Sequence, residues 1–338
     1  EGDGNLVDWV FDSATGIVSA KADGTLITVS GDAPPLMVTF HDSIDGLGAE
    51  LRQYGYFYLG SRGTSGKVAA LRYNLEEMPL FHFAVSVGDA PIPATKATQP
   101  APLQSGFAAP PLDALRDLVG WNTVFDPINK RPYMSLSRNW VAQKFGGFGV
   151  WLDDLFYHAL MSALFDPKLA RDCIKAVLAT ETPEGNFACL ITGRDKWIDR
   201  SQPPICSFIL WKIWQHTGDD SLIDLAYDRL LQNHDWWFTH RDGNSDGMVA
   251  WGTSPVGDGL YMRTKLGAKN ESIRDNSPIH DEARYDPKSG CLDQADVGLN
   301  SLLALDGEVL ALLARHRGDA ATAERLETRS AALRARIG

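Results

Sequence analysis

PPICSFILWKIWQHTGDDSLIDLAYDRLLQNHDWWFTHR, residues 203 to 241, decides how this chain is read. Apolar residues recur at helical spacing on both sides of Gly218-Asp219, a stop followed by a cap, and a double proline stands at the front. The stretch predicts two helices, 203–218 and 220–241, joined by a tight turn. The same signature occurs twice more, as "DDLFYHALMSALF" (153–165) with "PKLARDCIKAVLAT" (167–180), and as "DVGLNSLLALDGEVLALLARHRG" (296–318) with "DAATAERLETRSAALRARI" (319–337). Within a pair the turn is short; between pairs run long segments rich in Gly, Pro and acids. That alternation predicts α-helical hairpins wrapped into a toroid, with the long segments gathered at one end to build a site. A double layer of six hairpins needs twelve helices and about seven are legible, so the expectation is an (α/α) barrel that is incomplete in this chain.

Ahead of the helices, residues 1–90 read as strands of a β-sandwich-like domain. "GIVSAKADGTLITVSG" (16–31) carries β-branched runs around an Asp-Gly turn, and "PLMVTF", "GYFYLG", "KVAALRYNL" and "LFHFAVSVG" come after it. Residues 91–111, proline-rich and almost without charge, read as a linker to a catalytic unit over 112–338. The expected fold class is therefore mainly α with an N-terminal β domain.

A net charge of −11 without a basic stripe argues against nucleic acid or an anionic membrane as partner. No stretch of eighteen apolar residues predicts a membrane span, and the first residues lack the pattern of a signal peptide. The four cysteines, Cys173, Cys189, Cys206 and Cys291, form no C-x-x-C pair and read as buried thiols. The sequence names no compartment; a periplasmic or secreted location is expected slightly ahead of a cytoplasmic one.

Chemistry is expected on four inter-helix segments. These are 120–140, with Trp121, Arg131, Arg138 and Trp140; 144–154, with Trp151, Asp153 and Asp154; 193–204, with Gln202; and the run from His240 through Trp251 into "AKNESIRDNSPIHDEARYD" (268–286). The acids of the last stretch are crowded, which costs stability unless they are solvated, paired or held for chemistry. For Asp281, Glu282 and Asp286 a solvated loop is the reading. Asp242, Asn244 and Asp246 imitate the start of a calcium loop, but the twelfth position is Thr253 where a bidentate Glu is required, so no cofactor is expected and calcium stays a weak alternative. The histidines lie at no ligand spacing. Nucleophile elbow, P-loop and dinucleotide fingerprint are missing, leaving carboxylates, aromatics and arginines, which is what glycoside hydrolysis uses.

In order along the chain stand "WNTVFDP", "SRNW", "GGFG", "SQPP", "WWFTHRDGNSDGMVAWG" and "ESIRDNSP". This ordered set resembles the catalytic domain of glycoside hydrolase family 63 and its relatives, the processing α-glucosidases and mannosylglycerate hydrolases, which share a six-hairpin (α/α) barrel with trehalases. The resemblance implies an exo-acting, inverting glycosidase on an α-linked gluco-type sugar, with Asp275 as general acid. It implies a substrate-binding set of Arg138, Trp151, Asp154, Gln202, Trp251, Glu271 and Asn276, with no metal. Glu271 and Arg274 are expected to tune Asp275. One departure is Asp153, which stands where the family has tryptophan. The family's general base is a glutamate further along than this sequence runs. The base is therefore expected outside this chain, on the remaining part of the same enzyme or a second chain, and the substrate to be an oligosaccharide or small glycoside. Two other readings are another (α/α)-toroid sugar enzyme, a lyase or epimerase, and a noncatalytic carbohydrate-binding protein.

Overall fold

The computed structural model describes residues 8–54, 60–74, 81–89, 109–126, 128–135, 149–192, 195–274 and 276–338. The chain divides into two compact units, Glu1–Ala101 and Pro102–Gly338.

The first unit is built on antiparallel strands. In order along the chain come β1 (Trp9–Asp12), β2 (Ile17–Ala22), β3 (Thr25–Gly31), β4 (Met37–His41), α1 (Ile44–Tyr54), β5 (Ser65–Gly66), β6 (Val68–Arg72) and β7 (Phe83–Val87). One sheet runs β5-β1-β2-β3-β7, and β4 pairs separately with β6. The β2–β3 hairpin turns at Asp23 and Gly24, whose φ values of 48° and 80° are those of a two-residue turn that matches strand twist. Helix α1 departs from the all-strand expectation. Its glycines, Gly46 and Gly48, hide the helical period, while Ser43 caps it by accepting from the Gly46 N–H at 3.2 Å. Glu50 on α1 pairs with Arg62 at 2.6 Å and Arg72 at 2.7 Å, which ties the helix to β6. Most of "GYFYLG" lies outside the described residues.

The second unit is helical. It comprises α2 (Ala109–Asn122), the hairpin β8 (Thr123–Asp126) and β9 (Arg131–Met134), β10 (Val150–Trp151), α3 (Leu152–Ser162), α4 (Pro167–Leu178), β11 (Leu190–Ile191), β12 (Lys196–Trp197), α5 (Cys206–Thr217), α6 (Asp220–His240), β13 (Ala250–Gly252), α7 (Lys265–Glu271), β14 (Tyr285–Asp286), β15 (Cys291–Ala295), α8 (Val297–His316) and α9 (Ala320–Ile337). The three expected hairpins are present as α3–α4, α5–α6 and α8–α9, and α5 packs between α3 and α8. Their ends obey the local chemistry. Asp166, Asp219, Asp296 and Asp319 each accept a backbone N–H of the helix they precede, and Gly218 closes α5 with φ 67°. The double proline stops short of its predicted role as the opening of α5. The helix begins at Cys206, after an Ile205 N–H that bonds the Pro203 carbonyl at 2.8 Å.

Two short sheets give order to the long segments where periodicity shows none. β10-β11-β12 spans the entries to α3 and α5, and β13-β15-β14 spans the entry to α8. The main core joins the facing sides of α3, α4, α5, α6, α8 and α9 around Phe156, Ile174, Leu210 and Leu310; a second gathers Trp236, Trp237, Trp251, Leu299 and Leu303. α8 serves both. By length and composition it is the one described helix apolar enough to cross a membrane, with mean hydropathy 1.6, yet 61% of that window is buried inside the protein, as in a core helix.

Phe156 is 0% exposed at the centre of the main core. Truncating Phe156→Ala is expected to lower unfolding stability by about 3–5 kcal/mol, read as an earlier urea midpoint at unchanged slope. A shift below about 1 kcal/mol would show that the site collapses onto the cavity or that the core is not packed this way.

Candidate active site

The segments entering α5 and α8 are locked together by a buried ion pair. Glu271, the last residue of α7, and Arg241, the C-cap of α6, are 0% and 1% exposed. Arg241 Nε donates to Glu271 Oε2 at 2.8 Å and Nη2 to Oε1 at 2.8 Å, a fork that matches the planar carboxylate. The same carboxylate accepts the Ser201 N–H at 2.9 Å and the Gly252 N–H at 2.6 Å. Arg241 also reaches the Asp199 carbonyl at 3.1 Å and Ser254 Oγ at 3.0 Å, and its guanidinium lies 4.5 Å from the Trp236 ring centre. Burial opposes the charge on Arg241, but the pull of Glu271 outweighs it and the guanidinium titrates above its ordinary range.

A second buried pair stands beside the first. Arg200 Nε donates to Asp199 Oδ2 at 2.9 Å, Thr253 Oγ1 donates to the same oxygen at 2.5 Å, and Arg200 also bonds the carbonyls of Gly267 and Leu260. Gly267 has to be glycine, because a Cβ there would lie 2.2 Å from the Tyr261 carbonyl. A cleft of about 410 Å³ opens against these pairs, lined among others by Asn186, Trp236, His240, Ser254, Arg263 and Tyr285.

The entry to α3 is tied to the same frame through Gln202. Trp151, the residue before α3, offers no side-chain cap; instead Gln202 Oε1 accepts the Asp153 N–H at 2.8 Å, from the loop ahead of α5. Asp153 is 3% exposed, and its Oδ1 has no partner among the described residues. Burial pushes its carboxyl well above the usual carboxylate range, and the neighbouring Asp154 adds to the shift. Asp154, partly exposed, is raised by burial as well. Trp151 packs edge-on against Trp197, ring centres 5.9 Å apart.

The structure separates the expected site residues into groups. Trp151, Asp154 and Gln202 come together at the start of α3. Asn276 is exposed. Trp251 is 1% exposed and packs edge-to-face on Trp237 at 5.9 Å, inside the core, so it presents no face on which a sugar can stack. Glu271, likewise, has both oxygens occupied by protein and is closed to solvent. Its charge is matched by Arg241, which corrects the expectation that it binds substrate or acts as a bare charge on Asp275. Arg138 and Asp275 lie outside the described residues, as does Trp140. On the two sides of position 275 the backbone is fixed: Ile273 holds φ 54°, the Arg274 N–H donates to Ser272 Oγ at 3.1 Å, and the Ser277 N–H donates to the Arg274 carbonyl at 2.9 Å. The Arg274 guanidinium lies at the start of α8, where a Cβ on Gly298 would come within 3.4 Å of it.

Asp199, Arg200, Ser201 and Arg241 escape sequence reasoning, because Arg and Asp are ordinarily exposed and nothing local marks these as interior. The acids read as solvated, Asp281, Glu282 and Asp286, are all exposed; Asp281 also pairs with Lys269 at 3.1 Å, and Asp286 accepts the Lys288 and Ser289 N–H groups. The calcium-like loop is a turn: Asp242 accepts the Asp246 and Gly247 N–H groups, and Asp246 pairs with Arg336 at 3.3 Å. Among the described residues no three His, Cys, Asp or Glu side chains are grouped to hold a metal. The four cysteines are free and buried, with burial pushing Cys173 up to about 12 and Cys291 to about 11.

The model of the mannosylglycerate hydrolase MGH1-like glycoside hydrolase domain matches residues 148–338, and the chain belongs to that family. Among solved structures, the family 63 mannosylglycerate hydrolase from Thermus thermophilus in complex with glucose is 18% identical, with 66% of this chain and 62% of that one covered and a TM-score of 0.49. A rhamnosidase from Klebsiella oxytoca with rhamnose bound is 12% identical over 97% of this chain and 62% of its own, TM-score 0.42. A bacterial glucoamylase complexed with acarbose is 12% identical over 98% and 47%, TM-score 0.41. The chain thus spans 62% of the length of the Thermus enzyme.

The raised carboxyl of Asp153 sets a pH dependence. Unfolded, the group ionises near its ordinary value of 3.8; folded, it keeps its proton well above that. Above that pH the native state therefore binds more protons than the unfolded one, and stability falls as pH rises toward the folded value. Asp153→Asn removes this loss. Urea unfolding is expected to show the variant gaining on the wild type between pH 4 and pH 8; a difference that is constant or of opposite sign would mean that Asp153 is ionised in the fold.

Proposed function

We propose that this chain contributes the acid side of an exo-acting, inverting glycosidase site for an α-linked sugar of gluco or related configuration, with Asp275 as general acid. The family match over 148–338 carries the reading, together with the "ESIRDNSP" motif on a turn whose flanks are hydrogen-bonded in place. In this mechanism Asp275 protonates the departing glycosidic oxygen while a second carboxylate, not assigned to any residue here, activates water from the opposite face. Inversion asks for about 6.5–9.5 Å between the two carboxyl groups to admit that water. Asp154 and Asn276, with Arg138, fix sugar hydroxyls, and Trp151 supplies an apolar wall. The substrate is a small glycoside or oligosaccharide, and the family's name makes glycosides of glycerate the first compounds to try.

The test is a substrate panel on the full-length protein, with the anomer of the first product tracked by NMR. Hydrolysis with inverted configuration, and a kcat reduced about 10³-fold or more in Asp275→Asn with sugar binding retained, is the expected outcome. Retained configuration would remove the inverting mechanism, and full activity in Asp275→Asn would remove the acid assignment. Sugar binding without turnover in the wild type would favour a noncatalytic binder.

A further inference from the structure

Glu271 lies four positions ahead of Asp275, is fully buried, and is spent entirely on protein groups. Its partners come from three separate places: Arg241 from the end of α6, the Ser201 N–H from the entry to α5, and the Gly252 N–H from β13. Two residues further on, Ile273 sits in the left-handed region at φ 54°, a position that β-branched residues avoid and that persists only where the surroundings impose it. Beyond it the Ser272 and Arg274 bonds close the approach to position 275. We infer that the Glu271–Arg241 pair is a positioning device that fixes residues 272–274 and 276–277, the flanks of the proposed acid Asp275, from a frame made by the entries to α5 and α8. Neither member touches substrate. The pair acts by fixing where the turn leaves α7, and the strain at Ile273 is sustained by that anchor. This rests on the glycosidase reading above.

A structural ion pair and a positioning pair respond differently when both charges are removed together. Either single change, Glu271→Gln or Arg241→Met, leaves a buried charge without its partner and destabilises the fold, so singles alone are not decisive. The double variant Glu271→Gln/Arg241→Met is neutral at both positions and is expected to recover much of the lost thermal stability. If the pair positions the acid, kcat in the double variant stays about 100-fold below wild type with KM within a few-fold, since small misplacements of a reacting group cost that much. Amide exchange over residues 272–277 then stays accelerated. If activity returns with stability, or exchange in that turn is unchanged while α7 remains folded, the positioning role is overturned. Absence of hydrolysis by the wild type on every glycoside tried removes the glycosidase reading. The exchange measurement then decides the anchoring alone: acceleration confined to 272–277 supports it, and acceleration spread over the whole unit overturns it.

Discussion

A carboxylate taken wholly out of water needs its solvation replaced bond for bond, and the interior of the helical unit does this for Glu271. Two backbone amides and a forked guanidinium take the place of water around its oxygens, and every donor belongs to a different stretch of chain. The entries to the helices depend on this bond set. They are long and ordered only by the short strands of two small sheets, so hydrophobic burial alone would leave many conformations within reach. An ion pair that is satisfied in only one arrangement selects that arrangement, and leaving either member unpaired is costly. The Asp199–Arg200 pair repeats the device next door, and Gln202 extends it to the start of α3.

The helical hairpins were legible because their cause is local. Apolar spacing, an Asp cap and a stop at Gly218 are all written within one turn of the boundary they set; α4, α6, α8 and α9 start at their Asp caps, while α5 starts at Cys206, past the double proline. Helix α1 was missed because two glycines interrupt its period, and its support comes from arginines elsewhere in the unit. Composition and motif order mark "ESIRDNSP" as the candidate site. The wiring around it was not legible. Nothing around Arg241 or Arg200 separates an interior arginine from a surface one, and Trp251 reads like a sugar platform until Trp237 is seen against it. Long-range pairing decides these roles, and a single sequence carries no record of it.

The departure at Asp153 shows how burial converts one residue type into another. Where the resemblance expects a tryptophan, this chain has a carboxyl whose burial disfavours the charged form and pushes it well above the usual carboxylate range, so a small polar group stands in place of a large apolar ring. Asp154, one residue on, is less buried, and burial raises its carboxyl as well. The helix turns one of two adjacent aspartates fully inward and leaves the other partly exposed.

The four thiols carry a practical consequence. Each is buried, and burial lifts its pKa, so the folded chain holds almost no thiolate within reach of an alkylating reagent. Cys173 and Cys206 sit in the helical core, while Cys189 and Cys291 lie under the loops that feed α5 and α8. The molecule therefore contains its own chemical reporters at two depths: the rate at which each cysteine becomes reactive measures the opening of the loop frame separately from the opening of the helices, with no label added to the native protein.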